Sequence, residues 1–354
     1  MFNPKYVLTD SIVAMLTSIA ESKGIILRAK ILPQNEIKLR RQAIIRMTHS
    51  STEIEGNILN LKQVEAIVAH KKVDAPSREI YEVENYLKAL KYIDQIISKR
   101  ESVTEKTLLK IHKLVTNKTL PQNQSGYYRT GPIFVVRRRL GLPSETVYTG
   151  PDAKNVLQLT QDLITWLEKS RSKDINPVIV AGILHQEIAA IHPFNDGNGR
   201  TARAMATLIL YQRGYDFRRL FALEDYYNKN RAKYYEAINI GKNYQTSQER
   251  KTDLTSWLEY FIRGFKEEID NVKTQVLTLS LKKTNISSES KVYLDPDQLK
   301  LLDFLDQIGR ITIKDAVDIL NCPKRTAQLK IHQLKDIGII IQTGKGPATA
   351  YILR

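Results

Sequence analysis

The sequence predicts a mainly α fold: a helical body with one β-hairpin set into it, followed by a small C-terminal unit of three helices and two strands. Three observations predict it. Apolar residues recur at helical spacing through most of residues 10 to 282. Within that stretch, two β-branched runs face each other across Gly141 and Pro143, at Ile133 to Val136 and at Thr146 to Thr149. The polar run K-K-T-N-I-S-S-E-S, with no apolar period, then precedes the last sixty or so residues.

A chain of 354 residues has room for two or three domains and a sizeable core. With 42% hydrophobic and 26% charged residues it is globular rather than disordered. Cys322 is the only cysteine, which excludes an internal disulfide and a cysteine-based metal cluster, and points to a reducing, cytoplasmic setting. The start, M-F-N-P-K-Y-V-L-T-D, lacks a basic segment followed by an apolar one, and no run of 18 apolar residues occurs, so no membrane span is expected. The formal charge of +16 is of the kind that attracts nucleic acid or acidic partners. Residues 294 to 354 hold nine Lys/Arg and seven Asp/Glu, so the excess lies almost wholly before them. Of the basic clusters, Lys38, Arg40, Arg41 and Arg46 read as a solvated face, and Arg137, Arg138 and Arg139 as a hairpin patch for an acidic partner or a nucleotide.

Taken in order, residues 10 to 31 read as an amphipathic helix on Ile12, Val13, Leu16, Ile19 and Ala20, broken near Gly24. A second helix, about Asn35 to Ser50, leads into S-S-T-E-I-E-G-N, which alone reads as a helix end with a glycine stop. Pro76 to Arg100 forms a strong helix with Ser77 as N-cap and Ile80, Val83, Tyr86, Leu87 and Leu90 on one face. The next starts at Thr104, with Thr107 where a capping box would prefer Glu, and carries His112, read as a packed or surface residue. After the hairpin come helices at about Ala153 to Ser170 and Asn176 to Ala190. The latter is apolar nearly all round and is expected at the centre of the core. His185 lies on it without a third ligand at helical spacing and reads as structural, not zinc-binding. A long helix at 252 to 282 turns Trp257, Leu258, Phe261 and Ile262 inward.

The chemistry concentrates in I-H-P-F-N-D-G-N-G-R-T-A-R, residues 191 to 203. Glycines let backbone N–H groups approach an anion, and a helix N-terminus favours negative charge. Arg200 and Arg203, one turn apart, share a helix face and can fork onto phosphate oxygens. Asp196 is a hard oxygen ligand suited to Mg²⁺, and His192 can accept a proton near neutral pH. Together they describe a site for a polyphosphate and Mg²⁺ beside a general base.

This stretch resembles the signature H-P-F-x-[DE]-G-N-G-R-x-x-R of the Fic (Fido) family at every fixed position. The resemblance implies a Fic helical core whose hairpin is a flap, and an enzyme transferring AMP from ATP to a Ser, Thr or Tyr hydroxyl of a protein. His192 is then the catalytic base, Asp196 holds Mg²⁺, and Gly197, Asn198, Gly199, Arg200 and Arg203 cradle the ATP phosphates. Tyr128-Arg129 resembles the Y-R that opens the flap, over which a target segment, including one of this protein itself, would pair in β fashion. Y-Y-x-A-[LI] at Tyr234 to Ile238 resembles the adenine-pocket stretch, making Tyr234 and Tyr235 its candidates. Ser51, Glu55 and Gly56 match the family's inhibitory motif [ST]-x-x-x-E-[GN]; Glu55 is expected to pair with Arg203 and repel the γ-phosphate. Kinase-like relatives go with Lys at the position of Gly199, which disfavours phosphate transfer. Removal of AMP stays open, as does a homo-oligomer.

The expected organisation is an N-terminal helical region 1–75 with the inhibitory motif at 50–57, a Fic core 76–282 with flap 128–150 and signature loop 191–203, a linker 283–293 and a terminal domain 294–354. The last resembles a winged helix-turn-helix, with Pro323 to Asp336 as recognition helix, Lys345 near the wing tip, and Lys324, Arg325, Gln328 and Lys330 positioned for DNA. Its near-neutral charge favours a protein partner over DNA. The rival reading is a nucleotide-sensing, DNA-binding regulator.

Overall fold

The structure is a computed structural model. It describes residues 2–137, 145–241, 243–244, 252–281, 294–344, 346 and 349–353. Arg138, Arg139, Gly141, Pro143, the expected linker at 283–293 and Lys345 lie outside the described residues.

Helix α1 (Asp10–Arg28) starts where the Thr9 hydroxyl accepts from the Ile12 N–H, and buries Ile12, Met15, Ile19 and Ile26. It does not break at Gly24: the Arg28 Nε donates to the Gly24 carbonyl at 2.9 Å, and the last turn continues around it. Helix α2 (Pro33–Ile54) is longer than the sequence suggests at both ends, because Pro33 is tolerated in the first turn and Gly56, at φ +99°, makes the stop beyond Glu55. Short α3 (Leu61–Val68) carries an Asn60/Gln63 capping box. In α4 (Ser77–Lys99) the N-cap is Pro76, not Ser77, which is already the first helical residue. Helix α5 (Glu105–Val115) closes its capping box with Thr107 in place of Glu.

Strands β1 (Phe134–Arg137) and β2 (Glu145–Thr149) pair antiparallel, with a register shift between Val135 and Val136. Helices α6 (Ala153–Ser172), α7 (Pro177–Ile191) and α8 (Asn198–Gln212) follow. Next come α9 (Leu223–Lys229), α10 (Arg231–Ile238) and the long α11 (Thr255–Leu281). As expected, α7 is buried on nearly every face. It crosses α11 at Gly182, whose carbonyl accepts from Trp257 Nε1 at 2.8 Å. A Cβ there would lie 2.9 Å from Leu258 Cδ2 and 3.0 Å from Phe261 Cδ1, so the helices approach closely only because residue 182 has no side chain.

The chain ends in α12 (Pro296–Ile308), α13 (Ile313–Leu320), α14 (Lys324–Asp336) and an antiparallel pair, β3 (Ile340–Thr343) and β4 (Ala350–Leu353). Tyr351 bridges back to Ile311, and these elements bury an apolar cluster of their own around Leu301, Leu305, Ile331 and Leu334. Among the described residues no helix is long and apolar enough to cross a membrane.

Replacing Gly182 by Ala is expected to overpack the α7/α11 crossing and destabilise the fold by about 1–3 kcal/mol. Chemical denaturation of both proteins measures it, and equal midpoints would show that the crossing has slack.

Candidate active site

Helix α7 ends because Pro193 follows His192 and disfavours a helical conformation in the residue before it. His192 adopts φ 48°, ψ 59°, and its backbone N–H still reaches the Ile188 carbonyl at 3.0 Å. The His192 Nδ1 lies 3.1 Å from the Ala189 carbonyl. A carbonyl only accepts, so Nδ1 carries the proton and Nε2 keeps its lone pair. Burial pushes this imidazole below the usual histidine range, so it is neutral at pH 7 and able to take a proton.

The loop beyond is pinned from three sides. Asn198 returns to Phe194, with Oδ1 accepting from its N–H at 2.9 Å and Nδ2 donating to its carbonyl at 2.8 Å. The Asn198 side chain is therefore committed to the loop, and only its backbone can face an anion. Arg129 donates through Nε to the His192 carbonyl (2.8 Å) and through Nη2 to the Pro151 carbonyl (2.6 Å), while its N–H reaches the Pro193 carbonyl (3.0 Å). This ties both ends of the hairpin to the loop. Below the loop His112 stacks on Phe194 with ring centroids 3.6 Å apart. The Gly126 N–H donates to His112 Nδ1 at 2.9 Å, so Nε2–H donates to the Asp196 carbonyl at 3.0 Å. Burial, with Arg200 nearby, pushes His112 down to about 4 and fixes this neutral form.

The Asp196 carboxylate stays partly exposed, accepting from the Gly197 N–H (2.6 Å) and from Arg200 and Arg78, each at 3.4 Å. Helix α8 then opens with N–H groups that no helical carbonyl can satisfy. Arg200 and Arg203 are both buried on its inner face. Arg200 Nη1 sits 3.4 Å from Glu82 of α4. Glu82 in turn accepts from the Asn57 amide at 3.0 Å, so the residue following the Ser51 to Gly56 stretch is linked to the first arginine.

Arg203 meets the end of α2. Its Nε donates to Ser51 Oγ (2.9 Å) and its Nη2 to both the Ser51 carbonyl (2.8 Å) and Glu55 Oε1 (2.8 Å). Burial works against the Arg203 charge, and Glu55 more than offsets that, holding the guanidinium above its ordinary value. Gly199 makes the approach possible, since a Cβ there would fall 2.2 Å from Glu55 Oε1. Tyr234 is buried, its hydroxyl 3.0 Å from His185 Nε2 and 3.5 Å from Arg203 Nη1, so His185 is a core residue held through Nε2, while its Nδ1 has no hydrogen-bond partner among the described residues. Tyr235 is more exposed and donates to the Ile54 carbonyl at 2.9 Å.

Sequence reasoning missed His112, Glu82 and Asn57. A histidine among the apolar residues of an amphipathic helix is a signal, but nothing in its spacing says that it meets a loop far along the chain. The supposed solvated face of α2 also needs correction. Arg46 pairs with Asp225 (2.8 Å) and Glu268 (3.0 Å), and Arg40 with Glu36 (2.8 Å) and Asp303 (2.7 Å). Carboxylates from α9, α11 and α12 converge on these arginines, so they form joints between elements.

Residues 102–210 match the Fic/DOC family. The chain carries a Fic domain. Among solved structures, a Fic family protein from Desulfovibrio desulfuricans G20 superposes with TM-score 0.62 at 24% identity, covering 100% of this chain and 98% of that one. Fic-1 (aa134–508) from C. elegans superposes with TM-score 0.57 at 21% identity, covering 77% and 73%. These likenesses establish the fold. Of curated relatives, a protein named Protein adenylyltransferase Fic from Nematostella vectensis is 27% identical over 277 residues, 75% of this chain. Its namesake from Drosophila yakuba is 29% identical over 202 residues, 56% of this chain. The matches span only 58% and 37% of those relatives' own length.

Because folded His112 stays neutral to about 4 while an unfolded histidine ionises near 6.5, the unfolded chain binds the extra proton between those values. This group's contribution to stability is therefore complete above about pH 6.5 and falls by about 3 kcal/mol on acidification toward pH 4. Denaturation of the wild type and His112→Gln at both pH values isolates it: the variant is expected to lack that part of the acid loss.

Proposed function

We propose that this protein is a protein adenylyltransferase, transferring AMP from ATP to a side-chain hydroxyl of a target protein, and that Glu55 holds it inactive. The observation that carries the reading is the occupancy of Arg203. A basic His192 Nε2 and an anion-binding helix start stand side by side, and the arginine that would meet the distal phosphate is taken by a carboxylate of the same chain. The names of the curated relatives support the reaction class.

In this reading His192 Nε2 takes the proton of the attacking hydroxyl, whose oxygen forms the new bond to the α-phosphorus while pyrophosphate leaves. The N–H groups at Gly197 to Gly199 face the phosphates, and Arg200 and Arg203 offset charge growing on the departing oxygens. Arg200 sits ready, with Glu82 and Asp196 only at the edge of hydrogen-bond reach. Asp196 is a partly exposed carboxylate whose arginine contacts are both as long as 3.4 Å, which fits a Mg²⁺ ion whose remaining ligands are phosphate oxygens and water; bound there, the ion would neutralise the phosphates. The 134–149 hairpin, held against the signature loop by Arg129, is the surface on which the target segment adds as a further strand.

The test is incorporation of label from α-labelled ATP with Mg²⁺, in cell lysate and with purified protein. Glu55→Gly is expected to label itself or lysate proteins at least tenfold more than the wild type. His192→Ala in that background is expected to lose about 10²- to 10⁴-fold. No label from any form removes the reading. Since burial holds His192 below the ordinary histidine value near 6.5, the Glu55→Gly rate is expected to stay flat on acidification down to that value and to fall only below it. A rate that halves at pH 7.5 would assign the proton to another group.

A further inference from the structure

Helix α2 is gripped at both ends. At its C-terminal end Asp225 accepts from Arg46 (2.8 Å) and Ser50 (2.5 Å), Glu53 accepts from Arg231 (3.0 Å) and from Asn228, and Tyr235 holds the Ile54 carbonyl. These contacts seat Glu55 at Arg203. Near its N-terminal end the same helix meets the C-terminal elements: Arg40 Nη1 donates to Asp303 of α12 at 2.7 Å, and Ile37 packs against their apolar cluster. Glu36, one turn before Arg40, accepts from Arg40 at 2.8 Å and pairs with Arg218 of the body at 2.6 Å. Arg40 thus bridges a body-anchored carboxylate and one on α12.

Between Arg40 and Glu55 the helix runs about 22 Å, at about 1.5 Å per residue, with no glycine or proline in its interior. A continuous rod of this length moves as a unit, so a shift at one end is felt at the other. The joint to the C-terminal elements is small, and inter-domain contacts of that kind open readily. The grips beside Glu55 are polar, whereas Ala43, Ile45, Met47 and Ile54 of the same helix are buried, so the movement that frees Glu55 is a small tilt or slide of α2 that keeps its apolar face covered.

We propose that the C-terminal elements control Glu55 through α2. With Asp303 on Arg40, α2 is held in the pose that places Glu55 on Arg203; when that contact opens, α2 shifts and Glu55 leaves. The two contacts occur together in one pose of the helix, so each favours the other. What this control regulates rests on the proposed inhibition of AMP transfer, but the mechanical coupling does not.

Amide hydrogen exchange on the full chain tests the coupling directly. Asp303 is partly exposed, so Asp303→Asn and Asp303→Lys remove or oppose its contact without opening a cavity. Asp303→Lys is expected to speed exchange over residues 50–57 about three- to tenfold, Asp303→Asn less, while the buried amides of α7 are unchanged. Unchanged exchange at 50–57 in both variants overturns the proposal. AMP labelling of the same proteins separates the two readings. A rise with Asp303→Lys that vanishes in the Glu55→Gly background supports control through Glu55. A rise of equal size in that background overturns it. Faster exchange with no labelling even from Glu55→Gly leaves the coupling standing and removes the transferase.

Discussion

A guanidinium buried as deeply as that of Arg203 must have a charge partner or an array of acceptors, because the cost of leaving it unpaired in the interior is several kcal/mol. Much of the molecule follows from meeting this demand. Helix α8 presents Arg203 inward from its second turn, α2 reaches it with Ser51 and Glu55, and residue 199 lacks a side chain so that the carboxylate can lie over the helix start. The same demand makes the site exchangeable. Under the proposed function, a phosphate would replace Glu55 without stranding the charge, so the competition would be between two anions for one cation and not between a filled and an empty pocket.

The loop that carries the chemistry has almost no apolar anchorage of its own beyond Phe194. Its shape is set by hydrogen bonds from elements that do no chemistry: Asn198 from within, Arg129 from the hairpin, and His112 from α5. Such bonds hold a backbone to within tenths of an ångström, which proton transfer and in-line attack require. They also make the hairpin and the loop one mechanical body, so that under the proposed function a segment docked on the hairpin would be presented to His192 in a fixed relation.

The local parts of this design were legible in the residues. The signature's glycines and arginines placed a loop ahead of a helix start, the Glu55 motif announced a pairing with Arg203, and the full apolar coat of α7 placed it at the centre. What escaped was non-local or decided by small balances. His112, Glu82 and Asn57 act through partners brought near only by the fold. Arg40 and Arg46 looked solvated because their carboxylate partners lie far along the chain. Gly24 looked like a stop because its entropic cost is visible in sequence, whereas the packing of the α1 face that overrides it is not. Ser77 lost the capping position to Pro76 for a similarly local reason: residue 77 had already entered the helix.

The separation of 148 residues between Glu55 and Arg203 orders events in time as well as space. On the ribosome α2 emerges long before α8, and domains form from the N-terminal side first. Helix α8 therefore always folds onto a chain that already holds Glu55. A nascent molecule passes through no stage in which the arginine pair is complete and Glu55 is still to be made, so the carboxylate that pairs with Arg203 is already in the chain when that arginine is first buried. The buried guanidinium never has to wait for its charge partner.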